Sequence, residues 1–113
     1  MTDLAKKRCV PCEDKTGESK LGHNAVAELS HELDRWNIID DARIEKSLRF
    51  KDFAAALAFV NTVAAIAETE NHHPDIHLTE WNKVTLSLST HSIGGLSEND
   101  FILAAKIDEI VRD

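Results

Sequence analysis

The segment from Asp52 to Glu70 constrains this chain most, because apolar side chains return there every third or fourth residue. Phe53, Ala56, Leu57, Val60, Ala64 and Ala67 form one expected stripe over about five helical turns. The many alanines raise helix propensity and let such a helix lie close on a sheet. Pro74 disfavours helical backbone at His73, so the helix should stop near Asn71, leaving His72 and His73 just beyond its end. The apolar run Phe53–Ala67, interrupted by Asn61, is shorter than the roughly 20 residues a membrane span needs, which predicts a core helix.

The flanking segments alternate instead. From Lys83 to Thr90, Val84, Leu86 and Leu88 face one way and Lys83, Thr85 and Ser87 the other. From Arg43 to Phe50, Ile44, Leu48 and Phe50 share a face opposite Arg43, Glu45, Ser47 and Arg49. Trp36 to Asp40 predicts a short strand joined to the latter by a turn at Asp40-Asp41, and Ile76 with Leu78 predicts another. Val26, Leu29 and Leu33 give a short helix with Asn24 as its expected N-cap. Ser97 and Asp100 resemble a capping box opening a last helix to about Val111, with Leu103, Ile107 and Ile110 buried. The order α-β-β-α-β-β-α predicts an α+β domain: a four-stranded antiparallel sheet with helices packed on one face.

At 113 residues the chain should form one domain, expected over 22–113. Residues 1–21 carry charge, Pro11 and Gly17 but little periodic apolar content, and are expected to form a flexible arm. A net charge of −7 argues against a direct nucleic-acid partner or an anionic membrane surface. Met1–Arg8 is charged with no apolar run behind it, and Cys9 and Cys12 are too few for a disulfide framework. Both observations lead to the expectation of a cytoplasmic protein.

Of the six histidines, His72, His73, His77 and His91 fall close together, at element ends where side chains converge on clefts. Histidine gives or takes a proton near neutrality, and Glu68, Glu70 and Asp75 are at hand to orient or charge the rings. Each signal has a plainer explanation: a His-His pair is more often a solvated turn, and Trp36 and Trp81 are more often core. A metal site built from these histidines or from Cys9-x-x-Cys12 fits poorly. Neighbouring side chains on extended backbone point apart, and a Cys-x-x-Cys pair usually needs a second pair. No metal is expected.

The blocks Glu68-Thr-Glu-Asn-His72-His73-Pro74, Trp81-Asn82-Lys83-Val84, Thr90-His91-Ser92 and Gly95-Leu96-Ser97-Glu98-Asn99-Asp100 resemble the pterin-4a-carbinolamine dehydratase family. The resemblance runs from about Trp36 to the end. In animals that family also serves as the dimerisation cofactor of a homeodomain transcription factor. It implies a small α+β fold and a pterin substrate, the 4a-hydroxytetrahydropterin left by an aromatic amino-acid hydroxylase. Loss of water from it gives the quinonoid dihydropterin, within tetrahydrobiopterin recycling and without a cofactor. The resemblance further implies that His72 and His91 transfer protons, that Glu68 orients or charges a histidine, and that His73 grips the pterin. Trp36, Pro74, Thr90 and Asp100 would line the pocket. The chain departs from animal members at Asn71, where they often have Asp, and over Asp75–Glu80, which is a residue longer and lacks their aromatics.

Two further expectations follow. A sheet covered on one face leaves another face and two edges, so a homodimer or homotetramer is expected. The competing functions are a protein-binding module or transcriptional co-regulator acting through its oligomer surface, and a related pterin role in molybdenum-cofactor metabolism.

Overall fold

The computed structural model describes residues 4–9 and 21–112. Its central helix, α2 (Phe53–Glu70), starts at Asp52, whose side chain accepts a hydrogen bond from the Ala55 amide at 2.8 Å. It ends at Asn71, which takes a left-handed conformation (φ 55°, ψ 41°) and donates its own amide to Ala67. Asparagine enters that region more readily than most residues, so the chain can leave the helix sharply, just before the histidine pair. The buried apolar line of α2 keeps Ala56 and Ala67 of the predicted stripe but runs through Phe59 and Val63 instead of Phe53, Leu57 and Ala64. Phe53 is 50% and Leu57 39% exposed. The helix is apolar on more than one side, so periodicity alone does not say which side faces the sheet. Its length and mean hydropathy of 1.3 would also suit a membrane span, but its buried line is committed to packing.

Four strands form one antiparallel sheet in the order β1-β2-β4-β3: β1 (Asn37–Ile39), β2 (Arg43–Arg49), β3 (Asp75–Thr79) and β4 (Lys83–Leu88). The register pairs Ile44 with Leu88, Leu48 with Val84 and Ile76 with Leu86, so these apolar residues share the covered face. The opposite face carries Glu45, Ser87 and Asp75 in one cross-strand row and Ser47, Thr85 and His77 in the next. α1 (His23–Ser30) begins after Gly22, two residues earlier than the expected Asn24 cap would place it, and buries Val26. α3 (Glu98–Arg112) contributes Phe101, Ile102, Leu103 and Ile107 to the core.

Residues 4–9 differ from the arm expected over 1–21. Leu4–Lys6 form a 3₁₀ turn packed on α3, with Leu4 and Ala5 buried. Lys106 donates to the Ala5 carbonyl at 2.7 Å, and the Cys9 amide donates to Glu70 at 2.8 Å. Two apolar neighbours cannot show periodicity, yet they cover the end of a helix face that would otherwise meet water. The rest of that predicted arm, 10–20, lies outside the described residues.

Lys46 projects from β2 onto the covered face and is 5% exposed. Its ammonium donates to Asp108 at 2.9 Å and to the Asp34 carbonyl at 2.7 Å, and lies 5.9 Å from the centre of the Trp36 ring. The Trp36 indole and the Asp34 amide donate to the same Asp108 carboxylate, at 2.8 and 2.9 Å. A buried ammonium survives only with such a partner set, and this one ties β1 and β2 to α3.

Candidate active site

Two arrangements built on the last turn of α2, the end of β4 and the start of α3 hold most of the predicted residues, Trp36 excepted. The first is buried. After Asn71 the backbone is extended, so adjacent side chains diverge. His72 turns inward, and its Nε2 donates to Asp100 Oδ1 at 2.6 Å. Asp100 is 0% exposed. Its other oxygen accepts from the Thr90 hydroxyl at 2.8 Å and from the Ser97 amide at 3.0 Å. The Ser97 hydroxyl lies 2.8 Å from that of Thr90 and can donate to it, since Thr90 has already given its own proton to Asp100. This is half of the predicted capping box: Asp100 reaches back to the first residue of the box, while the serine turns to Thr90. With Nε2 turned to the carboxylate, Nδ1 is the ring nitrogen of His72 that this bond leaves open.

His73 diverges to the surface, where its Nε2 meets Glu68 Oε2 at 2.6 Å, one turn back on α2. Glu68 therefore acts on His73, not on His72 or His91. Pro74, half-buried, leads the chain into β3.

The second arrangement is a cleft of about 520 Å³ over the open sheet face, a size that suits a small bicyclic ligand. Its floor includes Glu45, Ser87, Asp75 and His77, and its rim Thr90, His91, Gly94 and Gly95. A 3₁₀ turn, His91–Ile93, ends at Gly94 with φ 67°, a left-handed backbone that glycine takes without strain, and this turn holds His91 exposed at the mouth. Thr90 belongs to both arrangements: it lines the cleft and donates to Asp100 behind it. The cleft wall thus carries His91 at the surface and is backed by the carboxylate that holds His72.

The structure brings Thr90 and His91 to the cleft, and joins His72 and Asp100 to its wall. It does not bring Asp100 or Trp36 to a ligand surface, against the expectation that both line the pocket. Asp100 has no exposed surface and its oxygens are occupied, while the Trp36 indole is committed to Asp108. Sequence reasoning counted His77 in the histidine cluster and Asp75 among its acidic neighbours without giving either a place in the pocket, and it left Glu45 out. The signal was present, since all three fall on the polar side of strand alternation, but only the register of β2, β4 and β3 shows that they meet.

A family model described as pterin 4 alpha carbinolamine dehydratase matches residues 19–110. The chain belongs to this family. It is 44% identical over 113 residues to the mitochondrial pterin-4-alpha-carbinolamine dehydratase 2 of Arabidopsis thaliana, covering 97% of this chain and 60% of that protein. It is 46% identical over 114 residues to a putative pterin-4-alpha-carbinolamine dehydratase of Chlorobaculum tepidum, covering 98% of this chain and 100% of that one. Among solved structures, the transcriptional coactivator/pterin dehydratase from Brucella melitensis matches with a TM-score of 0.76 and 34% identity, over 81% of this chain and 98% of that one. A pterin dehydratase-like protein described as a RuBisCO assembly factor in the alpha-carboxysome matches at 0.54 and 25% identity, over 67% of this chain and 86% of that one. Of the three histidines His72, His73 and His91, the last lies at the cleft mouth with no hydrogen-bond partner among the described residues, and the other two are each held by a carboxylate.

Proposed function

We propose that this member of the family dehydrates 4a-hydroxytetrahydropterin to the quinonoid dihydropterin, with His91 and His72 moving the protons. One observation carries the reading: Thr90 in the cleft wall bonds the same buried carboxylate that holds His72, beside the exposed ring of His91. The reaction breaks the bond from carbon 4a to its hydroxyl oxygen. One imidazolium supplies the proton with which that oxygen leaves as water. The lone pair of nitrogen 5 forms the new double bond to carbon 4a, and a neutral imidazole takes the proton from nitrogen 5. The two histidines exchange protonation states in one turnover and return to their starting states through water. General acid–base chemistry of this kind contributes about 10²–10⁴-fold in rate. His73, fixed by Glu68, grips the substrate, and no step calls for a metal or cofactor.

The test is a spectrophotometric assay in which an aromatic amino-acid hydroxylase generates the carbinolamine and its decay is followed. Purified protein should accelerate that decay, and a rate equal to the uncatalysed one sinks the proposal. Tetrahydrobiopterin recycling beside such a hydroxylase, in the cytoplasm, is the physiological setting we propose. A homodimer or homotetramer is supported by the half-exposed Phe53 and Leu57 on α2. The same residues favour the second reading, a module that docks on other proteins.

A further inference from the structure

Resting on the dehydratase reading, we infer that Asp75 and His77 on β3 read the amino-pyrimidinone edge of the bound pterin and so set substrate specificity. Several charged groups in and beside the cleft are already paired. Arg43 and Glu45 neutralise each other at 3.1 Å. Beside the cleft, His72 and His73 hold Asp100 and Glu68. Asp75, His77 and His91 line the same cleft and make no side-chain hydrogen bond or ion pair among the described residues. A carboxylate and two imidazoles are therefore available to a ligand, and His91 is assigned above to proton transfer.

The remaining two have a fixed relation. Both lie on the open side of β3, opposite Ser87 and Thr85 of β4, with Ile76 between them turned to the core. Residues two apart on a strand stand about 7 Å apart on one face. The pyrimidinone edge of a pterin presents, in a row, the 2-amino group and N3–H as donors and the 4-oxo oxygen as acceptor. A carboxylate followed by an imidazole N–H is the complementary row: Asp75 accepts from both donors, and His77 donates to the oxygen. A charged, bidentate acceptor distinguishes a 2-amino ring from a 2-oxo ring, because the second would set an oxygen against the carboxylate. That row lies along β3, so the second ring, with carbon 4a and nitrogen 5, extends across the open face over β4, the strand that leads into Thr90 and His91.

The experiment measures binding of 7,8-dihydropterin and of the matching 2,4-dioxo compound, a dihydrolumazine, by fluorescence titration, alongside the dehydration assay. Wild-type protein should prefer the pterin by about 10- to 100-fold. Asp75→Asn should lose most of that preference by weakening the pterin alone, and in the assay its rise in KM should outweigh any fall in kcat. His77→Ala should weaken both compounds alike, since both carry the 4-oxo group. Both side chains are exposed, so the variants should keep the wild-type thermal transition. Unchanged discrimination in a dehydrating Asp75→Asn protein, or equal weakening of both compounds by it, overturns this inference alone. A wild-type protein that neither dehydrates the carbinolamine nor binds dihydropterin overturns the dehydratase reading with it.

Discussion

His72 Nε2 stands 2.6 Å from Asp100 Oδ1, and the other oxygen of that fully buried carboxylate is held by Thr90 and Ser97. Asp100 can therefore reach a substrate only through the groups it fixes, the His72 ring and the Thr90 hydroxyl. Asp100→Asn keeps the shape but puts an amide where the acceptors stood, so kcat should fall about 10- to 100-fold with KM little changed. Asp100→Ala strands His72, Thr90 and the Ser97 amide, and should cost about 1–3 kcal/mol in urea unfolding. A larger effect on KM than on kcat in the asparagine variant would place Asp100 against substrate instead.

Replacing His91 with alanine should lower kcat by about 10²–10⁴-fold and leave stability untouched, because the ring is exposed and has no hydrogen-bond partner among the described residues. His72→Ala should lower kcat comparably and also destabilise the fold by about 1–3 kcal/mol, since Asp100 loses a buried partner. The double variant should dehydrate at close to the uncatalysed rate. A folded double variant that retains most of its kcat would show that the protons move elsewhere.

The Lys46–Asp108 pair predicts a larger loss of stability away from the cleft. Asp108→Ala leaves a buried ammonium, an indole N–H and the Asp34 amide without their shared acceptor, and should cost about 3–5 kcal/mol. Lys46→Met removes the charge while filling the space, and should cost far less. Chemical denaturation of the two variants decides the matter, and equal losses would contradict it.

Leu4 is 3% exposed, so Leu4→Ala should destabilise the protein by about 2–5 kcal/mol, and removing residues 1–9 should lower Tm at least as far. A wild-type melting curve for the truncated protein would detach this turn from the core.

Acid should weaken the same region through Glu70. Burial alone would raise its carboxyl pKa, but the hydrogen bond from the Cys9 amide, aided by Arg8 and Lys106, holds it below the ordinary value of 4.5. A carboxyl depressed in the folded state adds stability that is present in full above its unfolded pKa and is lost as pH falls through the lower, folded one. Stability should therefore decline below about pH 4.5, and Glu70→Gln should flatten that part of the profile. Parallel acid titrations by circular dichroism test it, and superimposable slopes would sink it.

Much of this was legible in the residues. Alternation in β4 and β2 gave the strands and their inner faces, and Pro74 placed the end of α2 beside the histidine pair. Other features depend on distance in space. Lys46 breaks the apolar pattern of β2 and gives no hint that Trp36 and Asp108 wait beneath it, because Asp108 is 62 residues away. Asp100 reads as a helix-capping acid, and is one, but its second bond to His72 spans 28 residues. The inward stripe of α2 was right at Ala56 and Ala67 but missed Phe59 and Val63, because apolar side chains lie on more than one side of the helix and only its packing partners select one.

Asn71 gives the chain an uneven tolerance to changes of length. An α-helix advances about 100° per residue and an extended chain turns over at every residue. One residue gained or lost between Ala67 and Pro74 would therefore exchange the destinations of the two rings, sending the imidazole meant for Asp100 out to solvent. The β3–β4 turn is under no such restriction, although Glu80 and Trp81 already take φ of 51° and 58° there. Lineages and engineers alike should find insertions admissible at that hairpin tip and forbidden in the few residues around Asn71, where the numbering of the backbone is itself a part of the catalyst.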